Sequence, residues 1–274
     1  MSPAHRRLPA LALALLLFGC ASPPPEPDAL AATGGLTAGW VDGQAFRHRT
    51  YRNAAADDAR LPLHVYLEGD GLPFRTPTRI SADPTPRNPL ALRLMLRDPA
   101  PAVYVSRPCY HGEAAAPGCS PRLWTTGRYG EPVVASMAAA LRRLAGPERP
   151  LVLIGYSGGG VLAMLLAARL DNVERVVTVA ANLDLARWTT LHGHTPLSAS
   201  LDPASAPPLP AHIAQLHLAG GDDRQVPPWI SAPVAAQQPG AEHRVLRGFD
   251  HRCCWEGAWP ALMDRKVHPA KLGR

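Results

Sequence analysis

Leu151-Val152-Leu153-Ile154-Gly155-Tyr156-Ser157-Gly158-Gly159 is a short apolar run that ends on a glycine-flanked serine, and from Gly158 to Leu170 the chain continues nearly apolar on every side. The run reads as a strand covered on both faces, and its continuation as a helix buried against a sheet. Residues 155–159 at the junction have the form G-x-S-x-G. A serine hydroxyl is a weak nucleophile and must stand clear of the backbone to meet a base and a carbonyl carbon. A sharp strand–turn–helix elbow achieves this, and it crowds the residues two before and two after the serine, which must be small. Gly155 and Gly159 meet that demand. The Gly158 N–H falls at the amino end of the helix, where developing negative charge is stabilised. Ser157 is the candidate nucleophile and Gly158 a candidate oxyanion donor.

Outward from the elbow, short β-rich runs alternate with helical patterns. The strands read at Leu63–Leu67, Ala102–Ser106, Leu151–Gly155, Arg175–Ala180, Ile213–Ala219 and His243–Leu246. Helices read at Asn88–Arg97, with Asn at the cap and Pro next, at Glu131–Leu144, with an apolar face at helical spacing, and at Gly158–Leu170. The alternation predicts an α/β fold, a mostly parallel sheet with helices on both faces. Residues 107–128 and 183–211 break the alternation with many Pro and Gly residues. Both follow a strand's carboxyl end, where ligands of open α/β sheets bind.

With the elbow and this alternation in place, residues 60–260 resemble the α/β-hydrolase family. The resemblance implies a triad in the order Ser, Asp or Glu, His. Gly220-Gly221-Asp222-Asp223-Arg224-Gln225-Val226-Pro227 resembles the family's acid loop and puts Asp223 at the acid position. Asp222 and Asp184 are the competing carboxylates. His251, just past the last strand, matches the base, and Asp250 beside it is read as a turn residue. His64-Val-Tyr-Leu-Glu68-Gly69-Asp70-Gly71 is similar to the family's oxyanion turn, with the Asp70 N–H as second donor and Glu68 where a histidine often sits. A carboxylate at position 70 must turn away from an oxyanion. A buried Glu68 needs a partner, for which Arg107 and Arg128 are available.

The N-terminus carries its own signal. His5, Arg6 and Arg7 precede an apolar run, Leu8–Phe18, that is shorter than the ~20 residues a bilayer-spanning helix needs. It closes on Leu17-Phe18-Gly19-Cys20, which resembles the lipobox of bacterial lipoproteins. That resemblance implies cleavage before Cys20, a diacylglyceryl group on its sulfur, and attachment to a lipid bilayer in the cell envelope. Ala21, where Asp often signals inner-membrane retention, implies the periplasmic face of the outer membrane. The expected organisation is a leader over 1–19, a flexible Pro- and Ala-rich tether over 20–39, and one hydrolase domain over 40–274.

Lys and Arg number 28 against 22 Asp and Glu, a net charge of +6 that falls by two, to +4, once Arg6 and Arg7 leave with the leader. The basic residues are scattered and form no stripe interleaved with aromatics, so nucleic acid is not an expected partner. Setting Cys20 aside leaves Cys109, Cys119, Cys253 and Cys254, an even number suited to disulfides in an oxidising compartment. Cys109–Cys119 is the favoured pair. Adjacent Cα atoms lie about 3.8 Å apart, below the usual bridged range of about 4.4–6.8 Å, so the pairing of Cys253 and Cys254 stays open. His192, His194, His251, Cys253 and Cys254 match no strong zinc spacing, and no metal or cofactor is implied.

The expectation is a serine hydrolase acting through an acyl-enzyme on a small-molecule or acyl substrate, foremost a carboxylic ester. Peptidases and thioesterases of the same fold stay open, as does a non-catalytic binding lipoprotein.

Overall fold

The computed structural model describes residues 27–264, so the predicted leader and Cys20 lie outside the described residues. In chain order the elements are α1 (Pro27–Thr33), β1 (Thr37–Asp42), β2 (Arg47–Arg52), β3 (Leu63–Leu67), β4 (Phe74–Thr76), β5 (Arg79–Ile80), α2 (Leu90–Met95) and β6 (Ala102–Val105). There follow α3 (Glu131–Ala145), β7 (Leu151–Tyr156), α4 (Gly158–Ala167), β8 (Val173–Val179), α5 (Leu185–Leu191), β9 (Ala214–Gly220), α6 (Pro228–Ala236), β10 (Glu242–Leu246) and α7 (Trp255–Met263). Eight strands form one sheet in the order β1-β2-β6-β3-β7-β8-β9-β10, and β4 and β5 form a separate small hairpin. β2 runs antiparallel to β1 and β6; every other pairing in the large sheet is parallel.

Side-chain alternation divides the core into two layers. Leu63, Val65 and Leu67 of β3, with Leu151 and Leu153 of β7, join the layer under α3 and α4. Tyr66 of β3, with Val152 and Ile154 of β7, faces the layer that holds α2 and the α7 residues Trp255 and Trp259. A strand whose odd and even residues are both buried must be apolar throughout, which is why β7 shows no polar alternation. All ten residues of α4 are buried, so the lack of a polar face there has the same cause.

Two expectations are corrected. Residues 27–39 are not a tether. They form α1 and the start of β1, with Ala31 fully buried and Asp28 accepting from the Tyr51 hydroxyl at 2.8 Å and from Arg49 at 2.5 Å. An alanine-rich segment is docked here by one polar anchor to β2, a contact that composition does not encode. The cap of α2 is not Asn88 either. The N-cap is Pro89, and the Ala91 N–H is instead satisfied by the Glu68 carboxylate at 3.0 Å. The Asn88 side chain accepts from Arg93.

Candidate active site

The elbow is built as its sequence demands. Ser157 has φ 52° and ψ −123°, a positive-φ conformation that a non-glycine residue holds only when its surroundings enforce it. Its N–H is tied to the Val179 carbonyl at 2.8 Å. A Cβ on Gly155 would collide with the Gly159 backbone, and one on Gly159 with the Leu67 carbonyl, so the strand and helix can meet only as glycines. The serine therefore projects beyond the carboxyl end of β7, a strand paired on both sides by β3 and β8.

His251 lies past β10 and Asp223 past β9. The two loops are stitched together, with Gly221 N–H donating to the Leu246 carbonyl at 2.8 Å and Asp222 N–H to Phe249 at 2.9 Å. Trp255, fully buried, fixes the histidine loop from below by donating its indole N–H to the Asp250 carbonyl at 2.9 Å. Asp223 Oδ1 accepts the N–H groups of Gln225 and Val226 at 2.8 and 2.7 Å, which satisfies a buried carboxylate and leaves Oδ2 for His251 Nδ1 at 2.8 Å. A ring nitrogen facing a carboxylate carries its proton, so Nε2 is the acceptor for the Ser157 hydroxyl, 3.2 Å away. The imidazole also packs on the Tyr156 ring, centroids 5.2 Å apart. Ser157, His251 and Asp223 thus form a continuous hydrogen-bonded chain. The competing carboxylates stand elsewhere: Asp222 is exposed, Asp184 caps α5 through Arg187 N–H at 2.8 Å, and Asp250 Oδ1 accepts the N–H groups of Arg252 and Cys253 in its own turn.

The turn after β3 stands over the serine. A Cβ on Gly69 would lie 3.4 Å from the Ser157 Cβ, and the Asp70 and Gly158 N–H groups donate to no backbone carbonyl among the described residues. The Asp70 carboxylate is bound in a buried cluster. It accepts from Arg107 Nη2 at 2.8 Å, Arg128 Nη1 at 2.6 Å and Tyr129 Oη at 2.6 Å, while the Tyr110 hydroxyl donates to the Asp70 carbonyl at 2.9 Å. Burial alone would raise the Asp70 carboxyl; Arg128 and Arg107 outweigh it and hold the group below its usual range. Two guanidiniums against one carboxylate leave the cluster net positive, so the carboxylate at position 70 does not oppose an anion at its own N–H. The arginines expected to serve Glu68 therefore belong to Asp70. Glu68 instead accepts the N–H groups of Gly69 and Ala91 at 3.1 and 3.0 Å, and burial pushes its carboxyl up to about 7.

A cavity of about 830 Å³ opens above Ser157. Loop 107–128 contributes Thr125, Thr126 and Arg128, and the long segment after β8 contributes Trp188, His194 and Leu197. Sequence reasoning missed a third wall, the β4–β5 hairpin with Leu72, Phe74 and Arg75, because strands of three and two residues carry no readable period. His192 and His194 stack on each other and against Trp188, and His192 Nε2 meets the Gln225 carbonyl at 2.7 Å. Cys109 and Cys119 are joined, closing the loop that carries Tyr110. Cys253 and Cys254, the pair left open, are joined as well, immediately after His251.

The fold is that of the α/β hydrolases. Among solved structures the chain is similar to a puromycin hydrolase, at 19% identity and TM-score 0.55 over 79% of this chain, though it spans only 36% of that protein's length. It is also similar to a carboxylesterase from Bacillus subtilis, at 12% identity and TM-score 0.53, covering 86% of this chain and 94% of that one. A third is an α/β serine hydrolase without lid from Xanthomonas campestris, at 16% identity and TM-score 0.51, covering 82% and 92%. No protein-family model matches the chain, and no curated protein matches it in sequence.

Proposed function

We propose that this protein is a serine hydrolase that cleaves carboxylic esters through an acyl-enzyme, with Ser157 as nucleophile, His251 as general base and acid, and Asp223 as its orienting carboxylate. The observation that carries the reading is the chain Ser157 Oγ–His251 Nε2 at 3.2 Å and His251 Nδ1–Asp223 Oδ2 at 2.8 Å, built on a serine held at positive φ. An apo separation of that length tightens when substrate binds.

In the first half-reaction Ser157 Oγ bonds to the ester carbonyl carbon as its proton passes to His251 Nε2, and the carbonyl oxygen takes the negative charge at the Gly158 and Asp70 N–H groups. The tetrahedral intermediate then expels the alcohol oxygen, which leaves with the proton from His251. Water repeats the sequence: His251 takes its proton, its oxygen bonds to the acyl carbon, and the Ser157 ester bond breaks, returning the proton to Ser157 and releasing the acid. Asp223 keeps the Nδ1 proton in place and stabilises the transient imidazolium without taking that proton.

A fluorophosphonate probe tests this directly. The wild-type chain should be labelled on Ser157 and lose esterase activity in parallel, whereas Ser157→Ala should neither label nor hydrolyse. An unlabelled wild-type chain would favour the binding-lipoprotein alternative.

We also propose that the domain is held by a lipid anchor at Cys20, facing the periplasm from the outer membrane. Its support is the leader and lipobox pattern, together with two disulfides in the domain, which suit an oxidising compartment.

A further inference from the structure

The walls of the cavity above Ser157 carry five arginines, at 75, 87, 93, 128 and 252, against two carboxylates, Glu68 and Asp70. Both carboxylates are spent inside the protein. Asp70 is bound by Arg107, Arg128 and Tyr129, and Glu68 turns to the backbone N–H groups of Gly69 and Ala91. Two of the five arginines are likewise engaged, Arg128 with Asp70 and Arg93 with Glu256 at 2.8 Å. The remaining three, Arg75, Arg87 and Arg252, have no ion pair and no side-chain hydrogen bond among the described residues.

Elsewhere on this surface the arrangement is mixed: Arg79, Arg122, Arg224 and Arg247, none of which lines the cavity, also form no ion pair among the described residues, while others do. Arg47, Arg49, Arg52, Arg60, Arg169 and Arg244 each hold a carboxylate. Three guanidiniums without an ion pair line one partly apolar cleft, Arg252 being only partly offset by the neighbouring Asp250 carboxylate, and together they concentrate a positive potential there, because low-dielectric walls focus field lines into a cleft. They also come from three separate segments: the β4–β5 hairpin, the loop before α2, and the residue after His251. Guanidiniums offer planar pairs of donors suited to carboxylate or phosphate. Leu72, Phe74 and Trp188 supply apolar surface beside them.

We infer that the ester cleaved at Ser157 is an acidic one, carrying a carboxylate or phosphate that Arg75, Arg87 and Arg252 receive while an apolar portion rests on the hairpin side. The inference rests on the hydrolase reading above and narrows it from esters in general to anionic esters.

Two pairs of substrates test it, each an anionic ester against a neutral one of similar size, with rates normalised to spontaneous hydrolysis. In para-nitrophenyl hemiglutarate versus para-nitrophenyl hexanoate the anion is on the acyl side; in para-acetoxybenzoate versus its methyl ester it is on the leaving-group side. At low ionic strength kcat/KM should favour the anionic member of at least one pair by about tenfold or more, equivalent to about 1.4 kcal/mol of transition-state binding. Molar salt should compress the preference, since exposed charges are screened. Arg75→Ala, Arg87→Ala or Arg252→Ala should lower the ratio toward one, and Arg→Lys at the same positions should retain part of it. Ser157-dependent hydrolysis without an anionic preference in either pair leaves the hydrolase reading standing and overturns this inference. Hydrolysis of none of the four esters, or hydrolysis that persists in Ser157→Ala, overturns both.

Discussion

The Asp70 carboxylate lies directly against the Cα of Gly158, where a Cβ would strike Asp70 Oδ1 and the Tyr129 hydroxyl. The two residues proposed to supply the oxyanion donors are therefore in contact, and the side chain of one sets what the other can be. The middle position after the serine in G-x-S-x-G is free in principle; in this chain the Asp70 cluster has claimed its space.

Gly158→Ala should then displace the turn after β3 and the Tyr129 hydroxyl while leaving the large sheet and its helices in place. Loss of one oxyanion donor costs about a hundredfold or more in kcat. We expect a drop of that order with unchanged far-ultraviolet circular dichroism. A variant with wild-type kcat would mean that the Asp70 N–H plays no part.

Asp223→Asn should cripple turnover, by about four orders of magnitude if the imidazole takes the wrong tautomer. Asp222→Asn and Asp184→Asn should remain within a few-fold of wild type, since one is exposed and the other caps α5. Steady-state kinetics on the three purified variants decides the assignment, and a crippled Asp184→Asn would reverse it.

Glu68 makes stability depend on pH in an uncommon direction for a carboxylate. Its folded value, raised by burial from 4.5 to about 7, means that its contribution is fully present below pH 4.5 and is lost as pH rises through about 7. The change is on the order of 3 kcal/mol from the size of the shift. Thermal melts of wild type and Glu68→Gln should therefore separate progressively between pH 4.5 and 7, with the variant gaining. His48 acts in the opposite sense. Buried between the Ser106 carbonyl and the Ser136 hydroxyl and depressed to about 4, it favours the fold above pH 6.5 and withdraws that support as pH falls toward 4. A difference between the two melts that does not change with pH would contradict the Glu68 account.

Replacing Cys109 and Cys119 together by serine opens a loop with a sequence separation of 10. Loop-closure entropy sets the loss of stability at about 2–3 kcal/mol. Activity should fall too, because this loop brings the Tyr110 hydroxyl to the Asp70 carbonyl. Denaturant titration alongside kinetics measures both, and equal stability of oxidised wild type and variant would rule the bridge out as a stabilising element.

Cys20→Ser should abolish lipidation and either block processing or release a soluble chain. The hydrolase domain should keep its activity, because the proposed site is built from residues 69 to 251. Intact mass spectrometry of membrane-extracted protein reads the anchor directly, and an unmodified Cys20 would replace the anchored reading with a secreted one.

What the sequence made legible was whatever is specified locally. The elbow, the acid loop and the histidine after β10 are short patterns whose residue types are dictated by their own backbone. β2 escaped notice because its buried face is carried partly by polar side chains, His48 and Thr50 beside Tyr51, so hydropathy shows no strand period there. α1 escaped because its anchor, Asp28, finds its partners 21 and 23 residues away. Asp70 looks like a liability in the sequence for the same reason, since Arg107, Arg128 and Tyr129 lie 37 to 59 positions along the chain. Local chemistry names the reacting groups; the tertiary structure alone reveals what holds them.

β10 closes the sheet on one side, paired among the described residues with β9 alone, while β7 is flanked by strands on both sides. His251, the proposed base, thus follows an edge strand of the sheet, and Ser157, the proposed nucleophile, an interior one. Strand edges open at lower free energy than interior strands. Warming, mild denaturant or any binder that peels away β10 would disarm the serine long before the elbow itself yields. Amide exchange in β10 should accordingly track the loss of turnover, with β7 still protected.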